Sequence, residues 1–116
     1  MDVENISSDL IRGHIDTMIL RVLEDGDNYG YEIIKSISLN SEGQYELKEP
    51  SLYTSLKRLE KLNYVESYWG NESQGGRRKY YKITSSGQKF YANAVSEWTT
   101  ARDIIEKLIR RGTSHE

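Results

Sequence analysis

Residues 50–62, Pro50-Ser51-Leu52-Tyr53-Thr54-Ser55-Leu56-Lys57-Arg58-Leu59-Glu60-Lys61-Leu62, decide how the rest of the chain is read. Leu52, Leu56, Leu59 and Leu62 step by four, three and three, the spacing of one inward stripe on an α-helix. Pro50 fits the first turn of that helix, where its missing N–H costs nothing. Ser51, Tyr53, Thr54, Lys57, Arg58 and Lys61 are left facing outward. Hydroxyls and cations on one side of a helix suit contact with phosphates and base edges. The trio Lys57, Glu60 and Lys61 equally fits an ordinary ion-paired surface.

Upstream, residues 8–24 read as one helix, with Ile11, Ile15, Met18, Ile19 and Val22 as its apolar stripe. Ser7 or Ser8 caps its start and Asp25-Gly26-Asp27-Asn28 stops it. A second helix is expected from about Tyr29 to Leu39, with Gly30, Ile33, Ile34 and Ile37 on one face and a polar loop, Asn40 to Lys48, after it. Downstream, Tyr64 to Trp69 and Arg77 to Thr84 read as two strands of a β-hairpin around the turn-rich tip 70–76. In the second strand Lys79, Tyr81 and Ile83 share one face, and Arg78, Tyr80 and Lys82 the other. A lone hairpin is unstable in water, so it leans on the helices, and Tyr68, Tyr80 and Tyr81 serve as its packing face or as stacking platforms.

From Ser85 or Ser86 to about Arg111 a long helix follows. Phe90, Ala94, Trp98, Ala101, Ile105 and Leu108 recur at nearly heptad spacing. At ~1.5 Å per residue this helix approaches 40 Å, too long to pack fully on so small a domain. Its narrow seam calls for a second helix, the twin in a symmetric dimer or the chain's own core.

The chain has 116 residues, 16 Lys and Arg against 18 Asp and Glu, two histidines and no cysteine. With a mean hydropathy of −0.73, that length fits one domain with a modest core. The lack of cysteine excludes disulfides and thiolate chemistry, and His14 and His115 lie too far apart to suggest a metal site. No apolar run spans a membrane and the first ten residues lack a signal profile, so a soluble cytoplasmic protein without cofactor is expected.

A formal charge of −2 conceals a division. Residues 1–50 carry four basic and eleven acidic groups, residues 51–82 seven basic and three acidic, and residues 83–116 five basic and four acidic. A polyanion responds to the field within about a Debye length, roughly 8–10 Å, so the middle third can face phosphates while the first third repels them. The Ser86-Gly87-Gln88-Lys89 spacing of serine–lysine hydrolases lacks its partner motifs and reads as helix capping. Asn5-Ile6-Ser7 and Asn71-Glu72-Ser73 fit a glycosylation pattern that carries no weight without a signal peptide. No acid–base constellation appears, and no enzyme is expected.

Three short helices followed by a hairpin is the order of a winged helix-turn-helix, mainly α with a two-stranded β wing. Residues 1–84 would bind DNA and residues 85–116 would pair two copies. The third helix would enter the major groove, and the wing tip would follow the backbone or minor groove. The expected contacts are Tyr31 and Lys35 on the second helix, Ser51, Tyr53, Thr54, Lys57, Arg58 and Lys61 on the third, and Gly75, Gly76, Arg77, Arg78 and Lys79 in the wing. A module of the same shape that binds proteins through its acidic first third, or a constitutive regulator without effector, is the alternative.

The segments Tyr29-Gly30-Tyr31-Glu32-Ile33, Pro50-Ser51-Leu52-Tyr53 with Leu56-Lys57-Arg58-Leu59-Glu60, and Gly75-Gly76-Arg77-Arg78-Lys79-Tyr80-Tyr81 resemble the PadR family of winged-helix repressors over residues 8–111. The single C-terminal helix resembles the short subfamily, and Ser67-Tyr68-Trp69-Gly70 through Tyr81 is similar to its lactococcal multidrug-binding branch. The resemblance implies a homodimeric repressor on a palindromic operator, often near a transporter gene, relieved by a flat aromatic ligand. It also implies that Trp98, between the small Ala94 and Ala101, faces its copy across a slot; the other reading is a tryptophan that fills the dimer core. Leu10, His14, Thr17, Met18, Ala94, Trp98, Ala101 and Arg102 would line the slot, with Asp16 and Asp103 the nearest acids. Arg102 stands where the multidrug-binding branch carries an acid, which favours neutral or anionic ligands over cations.

Overall fold

The architecture follows from where the apolar stripes find partners. In the computed structural model, which describes residues 8–71 and 76–110, eight elements occur in the order α1 (Ser8–Arg12), α2 (Ile15–Glu24), β1 (Asn28–Tyr29), α3 (Gly30–Asn40), α4 (Glu49–Lys61), β2 (Val65–Trp69), β3 (Lys79–Ile83) and α5 (Ser85–Arg110). Ile19, Leu20 and Leu23 of α2, Ile33 of α3, Leu52, Leu56 and Leu59 of α4, and Val65 and Tyr81 of the sheet form the centre of one core. Ser7 and Arg111, expected near the helix ends, lie outside the described residues.

Two expectations are corrected, and the two-stranded wing, which forms as expected from β2 and β3, gains a third strand. The first helix is two, interrupted at Gly13 and His14, where the His14 N–H turns back to the Ile11 carbonyl at 2.8 Å. Glycine inside a helix is disfavoured by roughly 1 kcal/mol against alanine, and here the chain turns at it. The sheet has three strands in the order β1-β3-β2, because Asn28 and Tyr29 pair antiparallel with Tyr81 and Tyr80. Two residues are too short to show alternation, so Asn28 reads as part of a turn and Tyr29 as the start of a helix. Leu62 is not inward: it is 53% exposed, and buried Ser55 joins Leu52, Leu56 and Leu59 on the inner face. The helix ends one residue earlier, with Asn63 at φ 70° and the Tyr64 N–H donating to the Leu59 carbonyl at 2.8 Å, which turns Leu62 away.

The wing is joined tightly to the last helix. Helix α5 starts at Ser85, as expected, and Thr84 caps it: its hydroxyl accepts the Gly87 N–H at 2.9 Å and donates to the Asn63 carbonyl at 2.7 Å. Tyr64 stacks on Phe90 with ring centroids 4.5 Å apart. A Cβ on Gly87 would overlap the Tyr64 carbonyl oxygen. Beyond this anchorage α5 packs along α2 and runs outward, stretching the chain to 65 × 37 × 21 Å.

Gly87→Ala is expected to lower the thermal midpoint by several degrees, since overfilling a packed site costs about 1–3 kcal/mol. Gly13→Ala, with nothing within 4 Å of the added Cβ, is expected to leave it unchanged or raise it. Circular dichroism melts at one protein concentration check both.

Candidate nucleic-acid interface and apolar groove

The polar side of α4 is set by its leucines. With the inner face occupied by Leu52, Ser55, Leu56 and Leu59, the helical step of about 100° gathers Ser51, Thr54, Lys57, Arg58 and Lys61 on the opposite side, all exposed. Tyr53 lies to the flank, over Gly30 at the start of α3, where any Cβ would overlap the tyrosine hydroxyl. Gly30 therefore sets the closeness of the α3–α4 crossing. Tyr31 and Lys35 are exposed one turn apart on α3.

Arg58 differs from its neighbours. Its Nε donates to Asp16 Oδ2 at 3.0 Å, and its Nη2 donates to Asp16 Oδ1 at 2.7 Å and to Ser55 Oγ at 3.1 Å. The hydrogen bond to Asp16 pushes the Arg58 pKa still higher. Asp16, named above as one of the acids nearest the slot, is thereby engaged on α4.

The wing carries its cations on aromatic rings. The Arg77 guanidinium lies 5.6 Å from the Trp69 ring centre, Arg78 lies 4.8 Å over Tyr29, and the Lys79 ammonium is 5.9 Å from Tyr81. By contrast Arg12, Arg21, Arg58 and Arg102 are paired with carboxylates. A ring orients a cation without cancelling its charge, so Arg77 and Arg78 keep theirs for an anion. Tyr80 in turn packs edge-on against Tyr29 at 5.4 Å and stacks on Tyr68 at 5.7 Å. The Tyr68 hydroxyl donates to Asp27 Oδ2 at 2.6 Å, which pushes its pKa up to about 12. This ties the wing to the α2–α3 connection. Gly76 adopts φ 86°, open to glycine without strain, and Gly75 lies outside the described residues. Asp27 and Tyr29 escaped sequence reading because Asp27 reads as a helix stop and Tyr29 as the start of the second helix.

On the other side of α2 an open groove of about 620 Å³ runs between α1, α2 and α5. Leu10, Ile11, His14, Thr17 and Met18 form one wall and Ala94, Val95, Trp98, Arg102, Ile105 and Glu106 the other. The His14 ring meets the Trp98 indole edge-on, centroids 5.0 Å apart. Seven of the eight residues expected at a slot thus line the groove; Ala101 is not among its lining, while Ile11, Val95, Ile105 and Glu106 are added. A straight helix drifts off a strict heptad by about 20° per repeat, which turns 102 and 106 into the groove and 101 out of it. The Arg102 guanidinium reaches Asp103 at 3.3 Å.

Among the described residues no group of three His, Cys, Asp or Glu is placed to hold a metal, and no helix is long and apolar enough to cross a membrane.

The profile of the Transcriptional regulator PadR-like family matches residues 19–93. A solved transcriptional regulator from Clostridium thermocellum is similar at 47% identity and a TM-score of 0.82, over 88% of this chain and 96% of that one. A PadR family transcription regulator from Clostridium difficile is similar at 38% identity and a TM-score of 0.71, over 84% of this chain and 99% of that one. An uncharacterised protein of Lysinibacillus sphaericus is 45% identical over 101 residues, 87% of this chain and 93% of its own length.

Tyr68 is expected to ionise near pH 12, and Asp27→Ala to return it toward the ordinary value of about 10, read as a shift in the alkaline absorbance titration. Because the folded pKa is the higher one, the stability this contact adds is fully present below pH 10 and fades as pH rises toward 12.

Proposed function

The chain belongs to the Transcriptional regulator PadR-like family, a family of DNA-binding transcriptional regulators rather than enzymes, and on that premise we propose that it is a ligand-responsive repressor. It binds a palindromic operator as a homodimer. In this reading residues 1–84 meet the DNA and residues 85–116 pair the two copies. The third-helix residues Ser51, Tyr53, Thr54, Lys57, Arg58 and Lys61, together with Tyr31 and Lys35, face the major groove. Gly75, Gly76, Arg77, Arg78 and Lys79 reach the flanking backbone or minor groove.

Pairing is supported by the outer half of α5, where Ile104, Ile105, Leu108 and Ile109 are all at least half exposed. Apolar side chains repeated along one rod seek a second rod, and a twofold axis supplies it at the least expense in sequence. Two such units can present their wings and recognition helices to half-sites about 34–36 Å apart.

The observation that carries the effector reading is the apolar groove walled by Trp98. It lies beside the exposed stripe of α5, so pairing would set two grooves together and bring the two indoles near the axis. Leu10, His14, Thr17, Met18, Ala94, Trp98 and Arg102 then enclose a flat aromatic compound by stacking and dispersion. The kinship to the multidrug-binding branch, and with it control of a multidrug transporter, rests on Trp98 and on the Ser67-Tyr68-Trp69-Gly70 segment. Arg102 in the wall, paired with Asp103 and with Glu106 close by, favours a neutral aromatic over a cation.

Sedimentation is expected to give a dimer, and Leu108→Arg a monomer with weakened DNA binding. Affinity for a selected operator duplex should fall steeply between 50 and 200 mM salt, with a slope near −0.9 per phosphate contact. Replacing Arg77, Arg78 and Lys79 by alanine should flatten that slope by about two to three. A flat aromatic dye such as anilinonaphthalene sulfonate should quench the tryptophan emission of Trp69→Phe. Unchanged dye binding by Trp98→Ala would remove the slot and leave repression standing.

A further inference from the structure

Arg58 stands among the outward cations of the recognition helix, yet its guanidinium is already held. Two of its three nitrogens, Nε and Nη2, donate to the two oxygens of Asp16 at 3.0 and 2.7 Å, and Nη2 also donates to the hydroxyl of buried Ser55 at 3.1 Å. The bridge joins residues 42 positions apart, α2 to α4, whereas Arg12–Asp9, Arg21–Asp25 and Arg102–Asp103 join residues no more than four apart. Asp16 is only 21% exposed and Arg58 49%. A planar fork on both carboxylate oxygens fixes direction as well as distance. With Ser55 as a further tether, the contact resists both rotation of α4 about its axis and sliding along α2.

We propose that Arg58 is a positioning residue. Its bridge to Asp16 holds α4 at the rotation in which Ser51, Thr54, Lys57 and Lys61 reach the nucleic acid, and it makes no phosphate contact of its own. The inference takes DNA binding from the family and needs neither effector nor slot. It also refines the contact set: the stripe that meets DNA is Ser51, Thr54, Lys57 and Lys61, with Arg58 behind it.

Asp16 gives a test in which the sign discriminates. If Arg58 merely contributed charge, removing a neighbouring anion would strengthen binding to a polyanion. If the bridge positions the helix, the same change weakens it. The experiment uses the full-length protein and a short mixed-sequence duplex, followed by fluorescence anisotropy from 50 to 200 mM salt, below the melting transition of every variant. Asp16→Asn, which keeps shape, and Arg58→Lys, which keeps charge but loses the fork, are each expected to bind roughly two- to fivefold more weakly, the range an exposed ion pair supports. The salt slope should stay at the wild-type value in both, and the double variant should be no weaker than the weaker single one. Lys57→Ala serves as the reference for a true phosphate contact, flattening the slope by about 0.9. Equal or tighter binding by Asp16→Asn would overturn the proposal. So would an Arg58→Lys protein that binds as wild type while Arg58→Ala flattens the slope as Lys57→Ala does.

Discussion

The packing of α2 is the contact on which the other arrangements depend. Ile19, Leu20 and Leu23 are almost without solvent exposure, and this helix of ten residues touches α3, α4, β3 and α5. A core this small has no second centre, since a domain of this size buries little more than one cluster of apolar side chains. Each functional element is therefore oriented by the side of α2 it rests on. Helix α4 lies against one side, where Arg58 meets Asp16. The groove opens on another, where Thr17 and Met18 face Trp98.

The same economy governs the charges. A net charge of −2 is compatible with DNA binding because cations and anions are distributed by partner. Carboxylates take up Arg12, Arg21, Arg58 and Arg102, while Arg77 and Arg78 rest on rings that leave their charge intact. The aromatic rings of the sheet thus have two roles. They bury apolar surface for a hairpin that would not stand alone, and two of them, Trp69 and Tyr29, orient Arg77 and Arg78. The Tyr68–Asp27 hydrogen bond then anchors the whole stack to the connection between α2 and α3.

The last helix has a different constraint. Gly87 brings it against the Tyr64 carbonyl, and Thr84 caps it from the end of β3, so its direction is fixed by the wing to which it is joined. The tight start contrasts with an outer half whose isoleucines and leucine remain in solvent in a single chain. A rigid joint thus directs an exposed apolar rod away from the core.

Much of this is legible in residue order. Periodicity in the leucines of 52–59 and in the isoleucines of α2 and α3 places the core helices, because helical spacing repeats locally and needs no knowledge of the partner. The alternation of 79–83, the turn-rich tip and the local excess of cations place the wing by similarly short-range rules. Leu10, His14, Thr17, Met18, Ala94, Trp98 and Arg102 of the groove are reached through the family resemblance, with only Met18, Ala94 and Trp98 marked by helix stripes as well. What the chain order does not carry is pairing between distant residues: β1 against β3, Asp16 with Arg58, Tyr68 with Asp27, and Tyr53 over Gly30. Each needs two elements already packed at a particular angle, and a helix rotated by one residue, about 100°, would present a different side chain. Local composition thus specified which elements form and which faces they bury. Tertiary packing alone decided which arginine is tethered, which leucine turns outward and where the groove opens, because those depend on distances across the core rather than along the chain.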